Sequence, residues 1–297
     1  MKNRRVLLID ALNLFMRNYI VDPSLSTNGQ PIGGTKGFIK SLQAVCRRIN
    51  PDLIFVAWDG GSQKRKSMDK NYKAGRKPVR LNRDIHNMTA GEQEDNKNWQ
   101  QERIIEYLNE MPILQSYVEN VEADDIIALV SQSQALSEHH KIILSSDKDF
   151  IQLCDDTTIL YRPIQKEILN KKRILEQFEI HPTNFALARA IAGDKSDNLP
   201  GVGGAGLPTV SKRFPFLSEE KSYTIQELVD YAEGVDSKLK VYKNIIEKRE
   251  IIEKNYKMMQ LYVPCISAQS AQYIRRMVGN PELAFNKTGV RAMMIED

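Results

Sequence analysis

The sequence predicts an α/β protein in which helices flank a mostly parallel sheet, followed by a helical second half. Short apolar runs, typical of strands buried on both faces, alternate with segments whose apolar residues recur at helical spacing. Because strand and helix alternate in this way, parallel pairing of the strands is favoured. Beyond about residue 179 only helical patterns continue.

Five short segments predict strands, because four are apolar runs and one is bounded by valines. They are residues 6–9, 53–58, 118–121, 141–144 and 158–161. The first two end directly at Asp10 and Asp59, and Gly60 and Gly61 after the second indicate a turn.

Segments with apolar residues at helical spacing predict helices. They are residues 35–49, 100–109, a helix from 123 onward, 182–191, 225–232, 241–253 and 256–262. Pro182 suits a helix start, while Gly193 and Gly234 suit helix ends. The polar stretch from about 62 to 98 shows little periodicity.

The composition fits a globular protein with a sizeable core. The chain has 297 residues, of which 41% are hydrophobic, enough for one large domain or two smaller ones. No apolar run approaches the ~20 residues of a membrane span, and the N-terminal run is too short for a signal peptide. Three scattered cysteines and four histidines show neither disulfide nor zinc-site spacing. These features predict a cytoplasmic protein with reduced cysteines and no membrane partner.

The basic residues are unevenly distributed. A net charge of +4 does not by itself identify a nucleic-acid-binding protein. Nine Lys and Arg residues, however, fall between positions 64 and 83, where Asp69 is the acidic exception. A solvated helix face or loop would explain such a run. Because the run also contains Tyr72 and follows the acidic end of a predicted strand, contact with a polyanion is the alternative.

Carboxylates follow the predicted strands at equivalent places. Asp10, Asp59 and Asp147 each lie at or just past the carboxyl end of a strand, the edge at which open α/β sheets bind ligands. One such aspartate would be explained as a helix N-cap, but for three of them capping alone is a weak account. Four further acids lie beside apolar segments: Glu122, Asp124, Asp125 and Asp149. Carboxylates beside a core are costly unless compensated, so we expect a metal ion, Lys and Arg side chains, or water to hold them.

Residues 193–206 form a glycine-rich loop between two predicted helices. Such a loop exposes backbone N–H groups, and with a following helix N-terminus it can bind an anion. Flexible linkers have similar sequences, so the loop alone is weak evidence. It lacks the Gly-Lys-Ser/Thr ending of a P-loop, and no buried strand precedes it, which excludes a nucleotide-binding interpretation.

Three motifs, taken together and in order, resemble the 5′-nuclease (flap endonuclease) family of bacteria and bacteriophages. They are YKAGRK at 72–77, EADD at 122–125 with SDKD at 146–149, and GDKSDNLPGV at 193–202. The same domain lies at the front of bacterial DNA polymerase I, and phages carry it as a free-standing protein. The resemblance spans about 6–214 and implies a stand-alone nuclease without a polymerase.

The resemblance implies a PIN-like nuclease domain over 1–178, with a basic helical arch at about 62–99. It also implies a helical DNA-binding region over 179–297, with a helix–three-turn–helix element at about 183–214. The activity implied is a metal-dependent, structure-specific 5′→3′ exonuclease and flap endonuclease. Its substrates would be 5′ flaps, nicked or gapped duplex DNA and RNA primers in RNA–DNA hybrids. A replication polymerase or a single-strand-binding protein would be its protein partner.

The resemblance also implies two divalent metal sites. The first would be held by Asp10, Asp59, Glu122, Asp124 and Asp125. The second would be held by Asp147, Asp149 and Asp197, with Asp194 close by. Oxygen ligands without a His or Cys cluster favour Mg²⁺, for which Mn²⁺ can substitute, over zinc. Two ions about 3.5–4 Å apart would assist in-line attack of water on a phosphodiester.

Further residues are assigned to DNA by the same resemblance. Tyr72 would stack on the terminal base, and Lys73 and Arg76 would contact the scissile phosphate. Other DNA contacts would come from the last residue of the YKAGRK motif, from the glycine-rich loop and from the segment after that loop, and a K⁺ ion would lie at the loop. These contact residues are Lys77, Gly201, Val202, Gly203, Gly204, Gly206 and Lys212.

One position departs from the family pattern. Where the family has Gly-x-Gly-x-Lys-Thr-Ala, residues 204–210 are GAGLPTV, so Pro208 replaces a lysine. Proline suits the first turn of a helix, and we therefore expect the helix to form with one phosphate contact fewer. Lys212 or Arg213 would compensate, or duplex binding would be weaker.

Two other functions are compatible with parts of the sequence. A PIN-type ribonuclease of the toxin kind would share the acids, but such proteins are shorter and lack the glycine-rich element. A catalytically inactive DNA-binding module would share the basic residues. The complete set of carboxylates argues against it, since loss of even one ligand would be the sign of decay.

Overall fold

The structure is a computed structural model that describes residues 3–76, 81 and 88–297. The chain forms two compact units, each drawn from separate stretches of sequence. The first consists of Met1–Gly60, Pro78–Ser145 and Ser267–Asp297, and the second of Gly61–Lys77 and Ser146–Ile266.

The strands of the described chain are short. They are β1 (Arg5–Asp10), β2 (Leu53–Trp58), β3 (Leu114–Tyr117), β4 (His140–Leu144), β5 (Thr158–Arg162) and β6 (Glu167–Leu169).

The α-helices range from 6 to 20 residues. They are α1 (Ala11–Val21), α2 (Gly33–Ile49), α3 (Gln63–Met68), α4 (Ala90–Asn109), α5 (Ala123–Ser131), α6 (Lys171–Phe178), α7 (Pro182–Ala192), α8 (Leu207–Arg213), α9 (Ile225–Gly234), α10 (Lys240–Glu247), α11 (Arg249–Met259), α12 (Ala268–Gly279) and α13 (Lys287–Glu296). Within the ranges given above, none of the helices combines the length and apolar character that a membrane span requires.

The first unit is built on four parallel strands. Strand β1 lies between β2 and β4, and β3 pairs with the other side of β2. Leu7 is in register with Ile54 on one side and Ile142 on the other. Residues 6–9 are fully buried, as expected for a strand covered on both faces. The predicted α/β class with a mostly parallel sheet is confirmed.

Two predicted boundaries in the first unit are wrong. The predicted strand at 118–121 is a turn, in which Asn120 has a φ of 63° and the Val121 N–H donates to the Val118 carbonyl oxygen at 3.1 Å. The strand is β3, four residues earlier, where Leu114 and Ser116 are buried and alternate with more exposed residues. The valines at both ends of this segment are typical of a strand, but the segment forms a turn instead of pairing in the sheet.

The helix predicted at 100–109 begins ten residues earlier, as α4. Thr89 and Glu92 form a capping box: the Glu92 N–H donates to Thr89 Oγ1 at 3.3 Å, and the Thr89 N–H donates to Glu92 Oε2 at 2.6 Å. The first half of α4 buries polar residues, and Gln100 Oε1 accepts the Thr35 N–H at 3.1 Å. Because the residues buried by this part of α4 are amides, the sequence there shows no apolar periodicity from which a helix could be predicted.

The second unit contains the β5–β6 antiparallel hairpin and helices α3 and α6 to α11. Helix α7 is almost entirely buried, and α11 packs against it. Asn255 on α11 donates from its side-chain amide to the carbonyl oxygens of Ala190 and Pro200, both at 2.9 Å. The helix predicted over 241–253 is instead interrupted at Lys248, between α10 and α11.

The glycine-rich loop joins α7 to α8, as predicted. Gly193 ends α7 with a φ of 74°, and Pro208 lies in the first turn of α8. The prediction that this helix forms despite Pro208 is confirmed. Proline loses nothing there, because a first-turn N–H has no partner within the helix.

Candidate metal centre and nucleic-acid-binding loops

Asp10 is the last residue of β1 and the N-cap of α1. Its Oδ1 accepts the Asn13 N–H at 3.1 Å, and its Oδ2 accepts the Ser145 hydroxyl hydrogen at 2.9 Å. Asp10 therefore does act as the N-cap of α1. Its second carboxylate oxygen, Oδ2, is held by Ser145, which was not predicted from the sequence. These two contacts hold the carboxylate at the carboxyl end of the sheet.

Asp59 follows β2 and is exposed, and its position is set by the backbone of Gly60. The Gly60 N–H donates to the Val121 carbonyl oxygen, and the Gly60 carbonyl accepts the Asn120 N–H, both at 2.8 Å. A Cβ at Gly60 would lie 1.9 Å from the Val118 carbonyl oxygen, so only glycine fits. This close approach keeps Asp59 beside the segment that leads into α5.

Glu122 is the N-cap of α5, and Asp124 and Asp125 lie in its first turn. The helix packs against β1 and β2, and its N-terminal dipole favours negative charge. Glu122 and Asp125 are only 3% and 1% exposed, whereas Asp124 is half-buried. Burying carboxylates is costly unless positive charge compensates them.

The first unit thus places all five acids predicted for the first metal at the carboxyl edge of its parallel strands. They are Asp10, Asp59, Glu122, Asp124 and Asp125. Their oxygen-only chemistry fits a hard divalent cation. Within residues 3–76, 81 and 88–297, no three His, Cys, Asp or Glu side chains are gathered closely enough to hold a metal ion. Metal binding by these five residues therefore stays a prediction.

In the second unit, Asp149 and Asp194 share one arginine. Arg189 Nε donates to Asp149 Oδ1 at 2.9 Å, and Arg189 Nη2 pairs with Asp194 Oδ2. The Asp147 carboxylate accepts the Asp149 N–H at 2.8 Å. Three of the four acids predicted for the second metal are therefore linked through hydrogen bonds and one guanidinium.

The pKa values of the two carboxylates that contact Arg189 are shifted in opposite directions. Burial, and next the charge of Asp147, raise the pKa of Asp149 to about 7. Burial also acts to raise the pKa of Asp194, but a hydrogen bond from Ser196 and the charge of Arg189 outweigh it, so that pKa is lowered. A divalent cation beside Asp149 would favour its ionised form.

Asp194 also caps its own loop. Its Oδ1 accepts the Ser196 N–H at 2.7 Å and the Ser196 hydroxyl hydrogen at 2.6 Å. These contacts are what a structural aspartate makes in a turn. A metal-ligand role for Asp194 would have to coexist with them.

Arg189 was missed in the sequence. It lies on α7 among buried apolar residues such as Leu187, Ala188 and Ile191, and its side chain is 14% exposed. A lone charged residue on a helix that otherwise carries no charge was the available signal. A buried guanidinium needs a carboxylate partner, but its partner Asp149 is 40 residues away in sequence.

The YKAGRK motif contacts the aspartate-rich part of the glycine loop. The Lys73 N–H donates to the Asp197 carbonyl oxygen at 2.9 Å, and the Asn198 side-chain amide donates to the Asn71 carbonyl oxygen at 3.0 Å. Arg76 forms an ion pair with the Asp197 carboxylate. Two of the motifs that predicted the family therefore meet in the second unit.

Tyr72 lies in the core of the second unit. The Tyr72 ring is 4% exposed and packs with Leu199, Met258 and Met259, and Lys73 Nζ lies 5.0 Å from its centroid. Stacking on a terminal base, as predicted, would require this ring to leave the core. Lys77 lies outside the described residues.

The glycines at 193 and 201 allow two backbone segments to cross. A Cβ at Gly201 would lie 2.0 Å from the Ala192 carbonyl oxygen, and one at Gly193 would lie 2.3 Å from Gly201 N. Asp194 and Leu199 exchange backbone hydrogen bonds of 2.9 and 2.8 Å beneath this crossing. Gly201 is therefore required by the crossing itself.

The rest of the predicted contact loop is divided between core and surface. Val202 is buried, whereas Gly203, Gly204 and Gly206 are exposed, as is Lys212 in the last turn of α8. These exposed residues present backbone and positive charge that a phosphate can contact. The Asn244 side-chain amide on α10 donates to the Gly203 carbonyl oxygen at 3.0 Å and steadies the loop.

Comparison with known proteins gives consistent results. A 5′-3′ exonuclease of Aquifex aeolicus is 26% identical over 262 residues, covering 86% of this chain and 81% of that protein. The thermostable DNA polymerase I of Thermus thermophilus is 30% identical over 210 residues, covering 70% of this chain and 23% of the polymerase. This chain thus spans about a quarter of that polymerase.

A solved structure has a similar fold. The flap endonuclease of bacteriophage T5, in a complex with DNA and metal ions, superposes with a TM-score of 0.73 at 17% identity. The match covers 93% of this chain and 98% of that one. Residues 5–179 also match the 5′-3′ exonuclease, N-terminal resolvase-like domain family. Since that match spans more than half of the sequence, the chain belongs to the 5′-3′ exonuclease N-terminal domain family.

Proposed function

We propose that the protein is a metal-dependent, structure-specific 5′ nuclease, acting as a 5′→3′ exonuclease and as a flap endonuclease on DNA. The observation that carries the proposal is the set of acids from β1, β2 and α5 at one edge of the sheet in the first unit. Family membership is consistent with this activity. A set of carboxylates with oxygen-only ligands, of which Asp10, Glu122 and Asp125 are buried, suits phosphodiester hydrolysis with divalent cations.

Mg²⁺ is the proposed cation, with Mn²⁺ able to replace it. Asp10, Asp59, Glu122, Asp124 and Asp125 would hold one ion, and Asp147, Asp149 and Asp197, aided by Asp194, would hold the second. When bound, the ions would supply the positive charge that favours attack of water and departure of the leaving oxygen. The Ser145 and Asn13 hydrogen bonds would keep Asp10 in one orientation.

The basic residues would position the substrate. Lys73 and Arg76 carry the charge to contact the scissile phosphate, and Lys77 continues the same motif. The exposed backbone at Gly203, Gly204 and Gly206 would hold duplex phosphates without reading sequence, with Lys212 adding charge. A K⁺ ion at this loop belongs to the proposal, since carbonyl oxygens are its preferred ligands.

The biological setting is proposed on the same basis. RNA primers in RNA–DNA hybrids are a second substrate class beside 5′-flapped, nicked and gapped DNA. A replication polymerase or single-strand-binding protein is the proposed partner. The setting would be cytoplasmic, in a host cell if a phage encodes the protein.

A panel of 5′-labelled substrates tests the proposal. With Mg²⁺, the protein should cut 5′-flapped DNA near the junction and release short products from the 5′ end of nicked duplex. A matched RNA–DNA hybrid measures activity on primers, and single-stranded RNA is the control. Preferred cleavage of single-stranded RNA would instead indicate a PIN-type ribonuclease. DNA binding without any cleavage would indicate an inactive module.

A further inference from the structure

The two arginines that pair with the second acidic set differ in accessibility. The Arg189 side chain, which pairs with Asp149 and Asp194, is 14% exposed. The Arg76 side chain, which pairs with Asp197, is 54% exposed. A buried, shared guanidinium is hard to remove, because it would leave two carboxylates unpaired. Asp197 is itself only 16% exposed, but its partner Arg76 is open to solvent, and an ion pair with an exposed arginine exchanges more readily than a buried one.

The backbone contacts around Arg76 do not depend on its side chain. The hydrogen bonds from the Lys73 N–H to Asp197 and from Asn198 to Asn71 hold the two loops together. Both Lys73 and Asn198 have left-handed φ values, 56° and 59°, which such contacts must stabilise. Beyond the ion pair, Arg76 Nε donates to the Ser196 carbonyl oxygen at a long 3.3 Å. The backbone contacts therefore hold the two loops together without the guanidinium.

We propose that Arg76 is an exchangeable counter-ion of Asp197 that couples DNA binding to metal binding at this carboxylate. The inference rests on the proposed function and deepens it. Without ligands, the guanidinium neutralises Asp197. A divalent cation on Asp197 would repel Arg76 and release it to a phosphate. A phosphate that draws Arg76 away would expose Asp197 to a cation.

The size of the coupling follows from linkage. The Arg76–Asp197 pair must break before the cation can fully contact Asp197 or the phosphate can fully contact Arg76. The pair therefore weakens the binding of the cation and the binding of DNA by the same factor. For an ion pair whose arginine is exposed we expect about two- to fivefold. Each ligand should then strengthen binding of the other by that factor.

Binding measurements test this without any cleavage. Mn²⁺ affinity is measured by calorimetry in the absence of DNA, for the unmodified protein, Arg76→Gln and Arg249→Gln. The control residue, Arg249, has a side chain 41% exposed and pairs with Glu253. Arg76→Gln should bind Mn²⁺ about two- to fivefold more tightly, and Arg249→Gln should be unchanged. Equal or weaker Mn²⁺ binding by Arg76→Gln would overturn the exchange.

A double-mutant cycle in EDTA provides the second measurement. Affinity for a 5′-flapped duplex should rise about two- to fivefold in Asp197→Asn, because Arg76 is released to a phosphate. The gain should vanish when Arg76→Gln is also present. A gain that persists would reflect reduced charge repulsion alone and would contradict the exchange.

These outcomes separate the two proposals. If the unmodified protein binds Mn²⁺ and cuts flaps while Arg76→Gln leaves Mn²⁺ affinity unchanged, the exchange fails and the proposed function stands. If the unmodified protein binds no divalent cation, both are overturned.

Discussion

Replacing Asp124 with asparagine should abolish cleavage of a 5′ flap while DNA binding survives. Loss of one carboxylate ligand removes several kcal/mol of transition-state stabilisation, or roughly a thousandfold in single-turnover rate. Affinity should stay within about twofold, because phosphate contacts dominate it. Asp124 is the best position for this test, since it is half-buried and asparagine preserves its size.

The matched control is Asp156→Asn. Asp156 is 80% exposed, pairs with Lys171 and does not belong to the predicted metal sets. Its substitution should leave the cleavage rate unchanged. An Asp124→Asn protein that kept more than about a tenth of the rate would show that this carboxylate is not a metal ligand of the reaction.

Replacing Arg189 with methionine should cost about 3–5 kcal/mol of unfolding free energy. The substitution leaves Asp149 and Asp194 buried without their shared guanidinium, and methionine fills much of the same volume. Arg189→Lys should recover part of the loss, since a point charge cannot bridge both carboxylates as the planar guanidinium does. Denaturant unfolding in EDTA measures the change without metal.

Arg249→Met serves as the control for that measurement. Its ion pair with Glu253 lies on the surface, so its loss should change unfolding by less than about 1 kcal/mol. If Arg189→Met were as stable as Arg249→Met, the buried bridge would contribute nothing, and another group would have to neutralise Asp149 and Asp194.

The sequence predicted the elements whose burial is uniform. Strands β1, β2 and β4 each contain an uninterrupted apolar run, at 6–9, 53–58 and 142–144, and α5 begins at Ala123 as expected. Helix α1 was missed because it follows β1 without a break, with Asp10 as both the strand end and the cap. The helices α12 and α13 were not predicted, although α12 buries Ala271, Ile274 and Val278 at helical spacing.

The acidic positions were predictable from strand ends, but their partners were not. Asp10 lies where its strand placed it, while the Ser145 hydroxyl that fixes it comes from 135 residues later. Arg76 and Asp197 are 121 residues apart in sequence. Such pairs depend on how the chain folds back, which local periodicity does not encode. The sequence left open whether metal, Lys and Arg, or water compensates the acids, and in the second unit arginines do so.

The metal dependence of flap cleavage tests most directly whether these carboxylates hold catalytic cations. The single-turnover rate on one 5′-labelled flapped duplex is measured in excess EDTA, and again after Mg²⁺ is restored in excess over the chelator. Cleavage should stop in EDTA and return in full with Mg²⁺, because the acids at the sheet edge need cations to act on a phosphodiester. Full activity in EDTA would contradict the assignment of these carboxylates as the active site.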